Sequence, residues 1–184
     1  MGYFELIFCS RYAAKDKTDQ QQKYWNVVSI GSDSIDKKGD SEGWPDLPGA
    51  KELIRVNFDD IVYVSTDKGG RTYNLVTPEK MEAIINQVRA WTKDGPAPVL
   101  VHCHASISRS TATTLVLLID RYKDQPTPEM VVLALRELIA ISSNIMPNPK
   151  VLEAGIEIIF KGDEAKQVEV IRAIYAHRIW KTIN

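Results

Sequence analysis

Val99-Leu100-Val101-His102-Cys103-His104-Ala105-Ser106-Ile107-Ser108-Arg109-Ser110-Thr111 is the stretch from which the rest of the chain is read. An apolar, β-branched run, the pattern of a buried strand, ends abruptly at Cys103. Five mostly small residues follow, then an arginine and two hydroxyls, and from Ala112 to Tyr122 the chain becomes a strongly apolar helix. Strand, tight loop and helix N-terminus in that order make an anion cradle. Successive N–H groups, here those of His104 to Arg109, point inward, and the helix dipole adds partial positive charge. A thiolate at Cys103 is stabilised by the same field. Arg109 offers two oxygens of a phosphate a planar fork that a lysine lacks. The chemistry that fits is nucleophilic attack by a thiolate on a bound phosphoryl group.

The remainder of the chain is consistent with one domain spanning residues 1–184, long enough for a substantial core. With 23 basic and 24 acidic side chains the charge is nearly balanced, so nothing global points to nucleic acid or a membrane surface. Two cysteines, one of them placed as a reactive thiol, suit a reducing compartment. No apolar run is long enough to span a bilayer, and the N-terminus lacks the pattern of a signal peptide. The expectation is a soluble, cytoplasmic protein.

Strands are expected at Tyr3 to Cys9, Tyr24 to Ile30 and Glu52 to Phe58, with a polar helix or loop from Ala13 to Lys23. Gly31 to Ala50, rich in Gly, Pro, Ser and Asp, reads as a long surface loop. Asp59 to Leu75 reads as a second irregular region. Thr77-Pro78-Glu79 starts a helix carrying Met81, Ile84, Ile85, Val88 and Trp91 at helical period. Pro126-Thr127-Pro128-Glu129 starts another, and two more helical segments follow Pro147-Asn148-Pro149. Strands alternate with helices early and helices dominate late. The fold class is therefore α/β: a short, mostly parallel sheet flanked by helices, with a helical C-terminal half.

His102-Cys103, five residues, Arg109 and Ser110, together with Ala105 and Ser108, resemble the signature of the cysteine-dependent tyrosine and dual-specificity phosphatases. The layout, including Met146-Pro147-Asn148-Pro149 after the last core helix, is similar to that of small bacterial tyrosine-phosphatase-like proteins. The resemblance implies a phosphatase-like sandwich that hydrolyses phosphomonoesters, of proteins or small molecules, through a phosphocysteine and without a cofactor. It implies Cys103 as nucleophile and Arg109 as the phosphoryl clamp. Ser110 would hydrogen-bond the sulfur and help it leave, and His102 would order the loop and tune the thiol. Ala105, Ser106, Ile107 and Ser108 complete the phosphate-binding loop with His104, which is expected at the pocket mouth. Ser106 stands where that family usually has glycine; a loop needing positive φ there strains a serine by about 1 kcal/mol or more.

A phosphate ester also needs an acid for its leaving oxygen. Asp60, at the end of a strand whose tip belongs on the same rim as Cys103, is the first candidate, and Asp59 the second. Trp44-Pro45-Asp46 matches a general-acid motif of receptor-type tyrosine phosphatases. It lies far upstream with a strand between, so it reads as a surface turn. No His/Cys spacing matches a metal site, and His177 stands alone. Cys9 reads as an isolated apolar packing residue; the alternative is a disulfide that protects an oxidised Cys103 if their strands are adjacent. Two other functions remain open: a phosphate-binding module with weak turnover, and another thiolate reaction such as sulfur transfer or arsenate reduction.

Overall fold

The computed structural model describes residues 5–19, 25–32, 44–68, 70 and 72–177. Its centre is a four-stranded, wholly parallel sheet of β1 (Leu6–Ser10), β2 (Asn26–Gly31), β3 (Glu52–Asn57) and β6 (Val99–Cys103), in the order β1-β6-β2-β3. β6 lies between β1 and β2 and is buried along its whole length. A parallel strand covered on both faces must be apolar throughout, which is why Val99 to Val101 shows no polar alternation.

Side chains alternate across the two faces. Leu6, Phe8, Val28, Ile30, Val99, Val101 and Cys103 enter the large core shared with the helices. Cys9, Val27 and Leu100 enter a smaller cluster with Ala14 of α1 (Arg11–Asp19) and Leu47. The large core is roofed by α2 (Pro78–Trp91), α3 (Arg109–Tyr122), α4 (Thr127–Ile141), α5 (Pro149–Ile159) and α6 (Glu164–Ala176). Residues 3–4, 20–24 and 33–43 of the expected strands and loops lie outside the described residues. Among the described residues no helix is long and apolar enough to cross a membrane.

Local chemistry explains the helix starts. Thr77 caps α2 through Lys80 N, with Pro78 in the first turn. Asn148 caps α5 through the amides of Lys150 and Val151. α4 departs from expectation: Pro126 occupies the cap position and Thr127 makes no side-chain cap. Arg89 of α2 grips the buried Asp120 of α3 with two bonds, Nε at 2.9 Å and Nη2 at 2.6 Å. Gly155 lets α5 lie on α3, since a Cβ there would sit 2.4 Å from Val116 Cγ2.

Two regions differ from the sequence reading. Residues 59–75 are not wholly irregular: β4 (Ser65–Thr66) and β5 (Thr72–Tyr73) pair antiparallel as a small hairpin. Helix α3 begins at Arg109 rather than Ala112, so the arginine and both hydroxyls form its first turn. Buried there, the three side chains have partners: Arg109 the carbonyls of Gly31 and Phe58, Ser110 the Cys103 sulfur, and Thr111 the carbonyls of Ile107 and Ser108.

Candidate active site

The end of β6 delivers Cys103 to the C-terminal rim of the sheet, opposite Ser10 in register. Cys103 is 3% exposed, and its Sγ lies 3.1 Å from Ser110 Oγ. The loop from His104 to Ser108 then turns back into α3. Its carbonyls are held outward: His104 O accepts from Arg11 N at 3.2 Å, Ile107 O from Met146 N at 2.8 Å, and Ser108 O from Ala112 N at 3.0 Å. Thr111 Oγ1 donates to the carbonyls of Ile107 (2.6 Å) and Ser108 (2.8 Å). In a trans peptide the following N–H points opposite to the carbonyl. The amides of Ala105, Ser108 and Arg109 therefore point away from these partners.

Ser106 has φ 63°, the only positive φ at a non-glycine among the described residues. The left-handed conformation strains it by about 1 kcal/mol or more. The chain thus makes the turn with a serine rather than a glycine, and bears a small strain inside the loop.

Arg109 is 6% exposed. Its Nη1 donates to Gly31 O at 2.7 Å and to Phe58 O at 2.9 Å, carbonyls at the ends of β2 and β3. Its Nε is buried without a protein partner. A buried donor left unpaired costs about 1–3 kcal/mol. One end of the guanidinium is anchored, while a donor remains available for an anion that accepts in the plane of the fork.

The two adjacent aspartates separate clearly. Asp59 is buried, accepts from Ser32 Oγ and from Asn74 N at 2.8 Å, and its own N donates to Asn74 O at 2.9 Å. It closes the base of the 61–75 segment. Asp60 faces the loop: its Oδ1 accepts from Ser108 Oγ at 2.5 Å and from Asn148 Nδ2 at 2.9 Å. Asn148 also donates to Ile61 O at 3.2 Å while its Oδ1 caps α5. Its capping role follows from the Asn-Pro pair; its reach to Asp60 is tertiary and left no sequence signal.

Asp46 is exposed, and its charge acts on Lys15 of α1. Its two predecessors are not an ordinary surface turn. The Trp44 ring sits where a Cβ on Gly31 would be 2.8 Å away, and the Arg55 guanidinium lies 5.5 Å from the Trp44 ring centre. Trp44 and Pro45 line a small cavity with Arg11, His102, His104 and Arg109. The His104 ring meets Tyr12 edge-on at 5.9 Å.

His102 points to the α1 side of the sheet, opposite Cys103. Burial pushes its pKa from 6.5 down to about 4, opposed in part by interaction with the Cys103 backbone and helped by the charges of Arg11 and Arg55. Between those values the unfolded chain binds more protons than the native one, so stability rises with pH there. Acidification from about pH 6.5 to about 4 is expected to remove roughly 3 kcal/mol through this residue. Urea midpoints measured across that window should show this loss, and His102→Gln should flatten it.

The alternative of a Cys9–Cys103 disulfide does not fit the sheet. β1 and β6 are adjacent, but Cys9 pairs in register with His102, not Cys103. The two thiols therefore leave opposite faces of the sheet, and each is buried in a different cluster. Burial pushes Cys9 up to about 12. It is an apolar packing residue.

No protein-family model matches the sequence, and no curated protein matches it. Solved structures do match the fold. The active form of Tk-PTP aligns with a TM-score of 0.54 at 12% identity, over 86% of this chain and 94% of that one. Human DUSP28 aligns at 0.52 and 18% identity, over 89% and 94%. The human tyrosine phosphatase-like serine/threonine/tyrosine-interacting protein aligns at 0.56 and 15% identity, over 83% and 89%. At these identities the likeness is one of fold, an α/β sandwich with the parallel sheet already described.

Proposed function

We propose that this chain, which has the fold of the cysteine-dependent tyrosine and dual-specificity phosphatases, hydrolyses phosphomonoesters through a phosphocysteine. The observation that carries the reading is the arrangement of Arg109. Two strand-end carbonyls hold its Nη1, and its buried Nε remains unpartnered beside a loop that ends on a sulfur–hydroxyl pair. In this reading the Cys103 thiolate attacks phosphorus and forms the S–P bond as the P–O bond to the leaving alcohol breaks. Arg109 and the loop amides take up the charge on the phosphoryl oxygens. Asp60, protonated, gives its proton to the departing oxygen. Water then attacks phosphorus and returns a proton to Asp60. The S–P bond breaks, and Ser110 donates a hydrogen bond to the sulfur as it leaves.

The division of labour between the aspartates is testable. Asp60→Asn is expected to lower kcat by about 10²-fold for alkyl and unactivated aryl phosphates, with a much smaller loss for a nitrophenyl ester. The alkaline limb of its pH–rate profile should flatten. Asp59→Asn should keep that limb and lose stability instead, on the order of 1–3 kcal/mol, because the amide keeps one acceptor oxygen where Ser32 Oγ and Asn74 N use two. Steady-state profiles of both variants check this; a normal Asp60→Asn profile would remove Asp60 from the mechanism.

A second reading, a phosphate-binding module with weak turnover, is supported by the strained Ser106 in the loop. The same variants separate the two, since a binding module has a low kcat from the start, which Asp60→Asn changes little. Thiol-relay chemistries are disfavoured by Cys9, which lies behind the sheet from Cys103 and is the only other cysteine.

A further inference from the structure

Beside the proposed catalytic loop opens a cleft of about 650 Å³. Asp60 and Ser108 form its inner end, so it is continuous with the site. Its outer walls are Val62 and Tyr63 from the segment before the hairpin, Met146 and Pro147 from the turn before α5, and Tyr175 from α6. Tyr63 is 70% exposed, Met146 51% and Val62 44%. Large apolar side chains gathered at one mouth mark a contact surface.

We propose that this cleft receives an uncharged, apolar residue next to the phosphotyrosine of a peptide substrate. The proposal rests on the phosphatase reading above. Charge argues for it first. Among the described residues lining the cleft none is a lysine or arginine, and the one carboxylate is Asp60. A nucleotide or a polyphosphorylated sugar would bring further anions against that carboxylate with no cation to receive them. An anionic lipid surface is disfavoured for the same reason, since such surfaces are held by clustered basic residues. Reach favours tyrosine. Cys103 is 3% exposed, and of the phosphorylated residues a phosphotyrosine carries its phosphoryl group furthest from the main chain. Among the polar lining, Ser65 offers a hydrogen bond to a peptide main chain, which an extended aliphatic ligand would leave unused.

The test is kcat/KM for two phosphotyrosyl peptides that differ only in carrying Leu or Glu beside the phosphotyrosine. Phenyl phosphate and vesicles containing phosphatidate are run alongside. The Leu peptide is expected to exceed the Glu peptide by about tenfold, the discrimination a small apolar pocket supplies. Met146→Lys puts a cation into the wall and is expected to reverse the order. A reversal is a gain that misfolding does not produce. Equal kcat/KM for the two peptides, an unchanged order in Met146→Lys, or a preference for phosphatidate over both peptides would each overturn the proposal. Hydrolysis of phenyl phosphate tells the failures apart. If it proceeds while the peptides are not distinguished, only the cleft assignment falls. If phenyl phosphate is not hydrolysed, the phosphatase reading falls and takes this proposal with it.

Discussion

Cys103→Ser is expected to lower the hydrolysis of an aryl phosphate by a factor on the order of 10⁴ or more, while leaving phosphate bound. The loss follows from the nucleophile: a serine hydroxyl has no base positioned to ionise it, and an alkoxide is far harder to form than a thiolate. Retention follows from the cradle. The loop amides and Arg109 are held by contacts that do not involve the sulfur, namely Arg11 N, Met146 N, Thr111 Oγ1 and the carbonyls of Gly31 and Phe58. Oxygen in place of sulfur at a site 3.1 Å from Ser110 Oγ also keeps that hydrogen bond. Steady-state turnover and phosphate titration on the same preparation check both halves. Undiminished turnover would mean that a different group attacks phosphorus.

Arg109→Lys is expected to lower kcat/KM by about 10²- to 10³-fold, the range for removing one donor aimed at developing charge. The guanidinium does two jobs with separate nitrogens. Nη1 bridges Gly31 O and Phe58 O, tying the first turn of α3 to the ends of two strands. Nε is the buried donor that remains. An ammonium is a point charge on a flexible stem and cannot span both carbonyls while presenting a planar edge to a phosphoryl group. If it keeps the carbonyls it loses the ligand; if it turns to the ligand, Phe58 O loses this donor and Gly31 O keeps only Phe58 N at 3.3 Å, a cost of about 1–3 kcal/mol. The substitution should therefore lower both turnover and the urea midpoint. A variant with reduced stability and full kcat/KM would show that Arg109 is only a structural tie.

The parts of this site that were legible in the sequence are those built from consecutive residues. A both-faces-buried strand, a short loop and an apolar helix each leave a local pattern, and together they place Cys103, Arg109 and Ser110 with no knowledge of the rest. What the sequence left open depends on the direction a strand gives a side chain and on distant partners. Asp59 and Asp60 are identical in type and adjacent; only the structure turns one towards Asn74 and the other towards Ser108. Cys9 sits on the strand next to Cys103, and a one-residue difference in register puts it on the other face. Two-residue strands such as Ser65–Thr66 are too short to show alternation, so the hairpin was hidden. Trp44 reads as part of a Pro-rich loop until the bare backbone of Gly31 and the Arg55 guanidinium are seen beneath it.

The central claim, a covalent phosphocysteine, is tested most directly by acid-quenching the protein during turnover of a phosphotyrosyl peptide and mapping the added phosphoryl mass by peptide mass spectrometry. One phosphoryl group is expected on Cys103, and none in Cys103→Ser. Turnover with no phosphoryl group on Cys103, or with one on another residue, would contradict it.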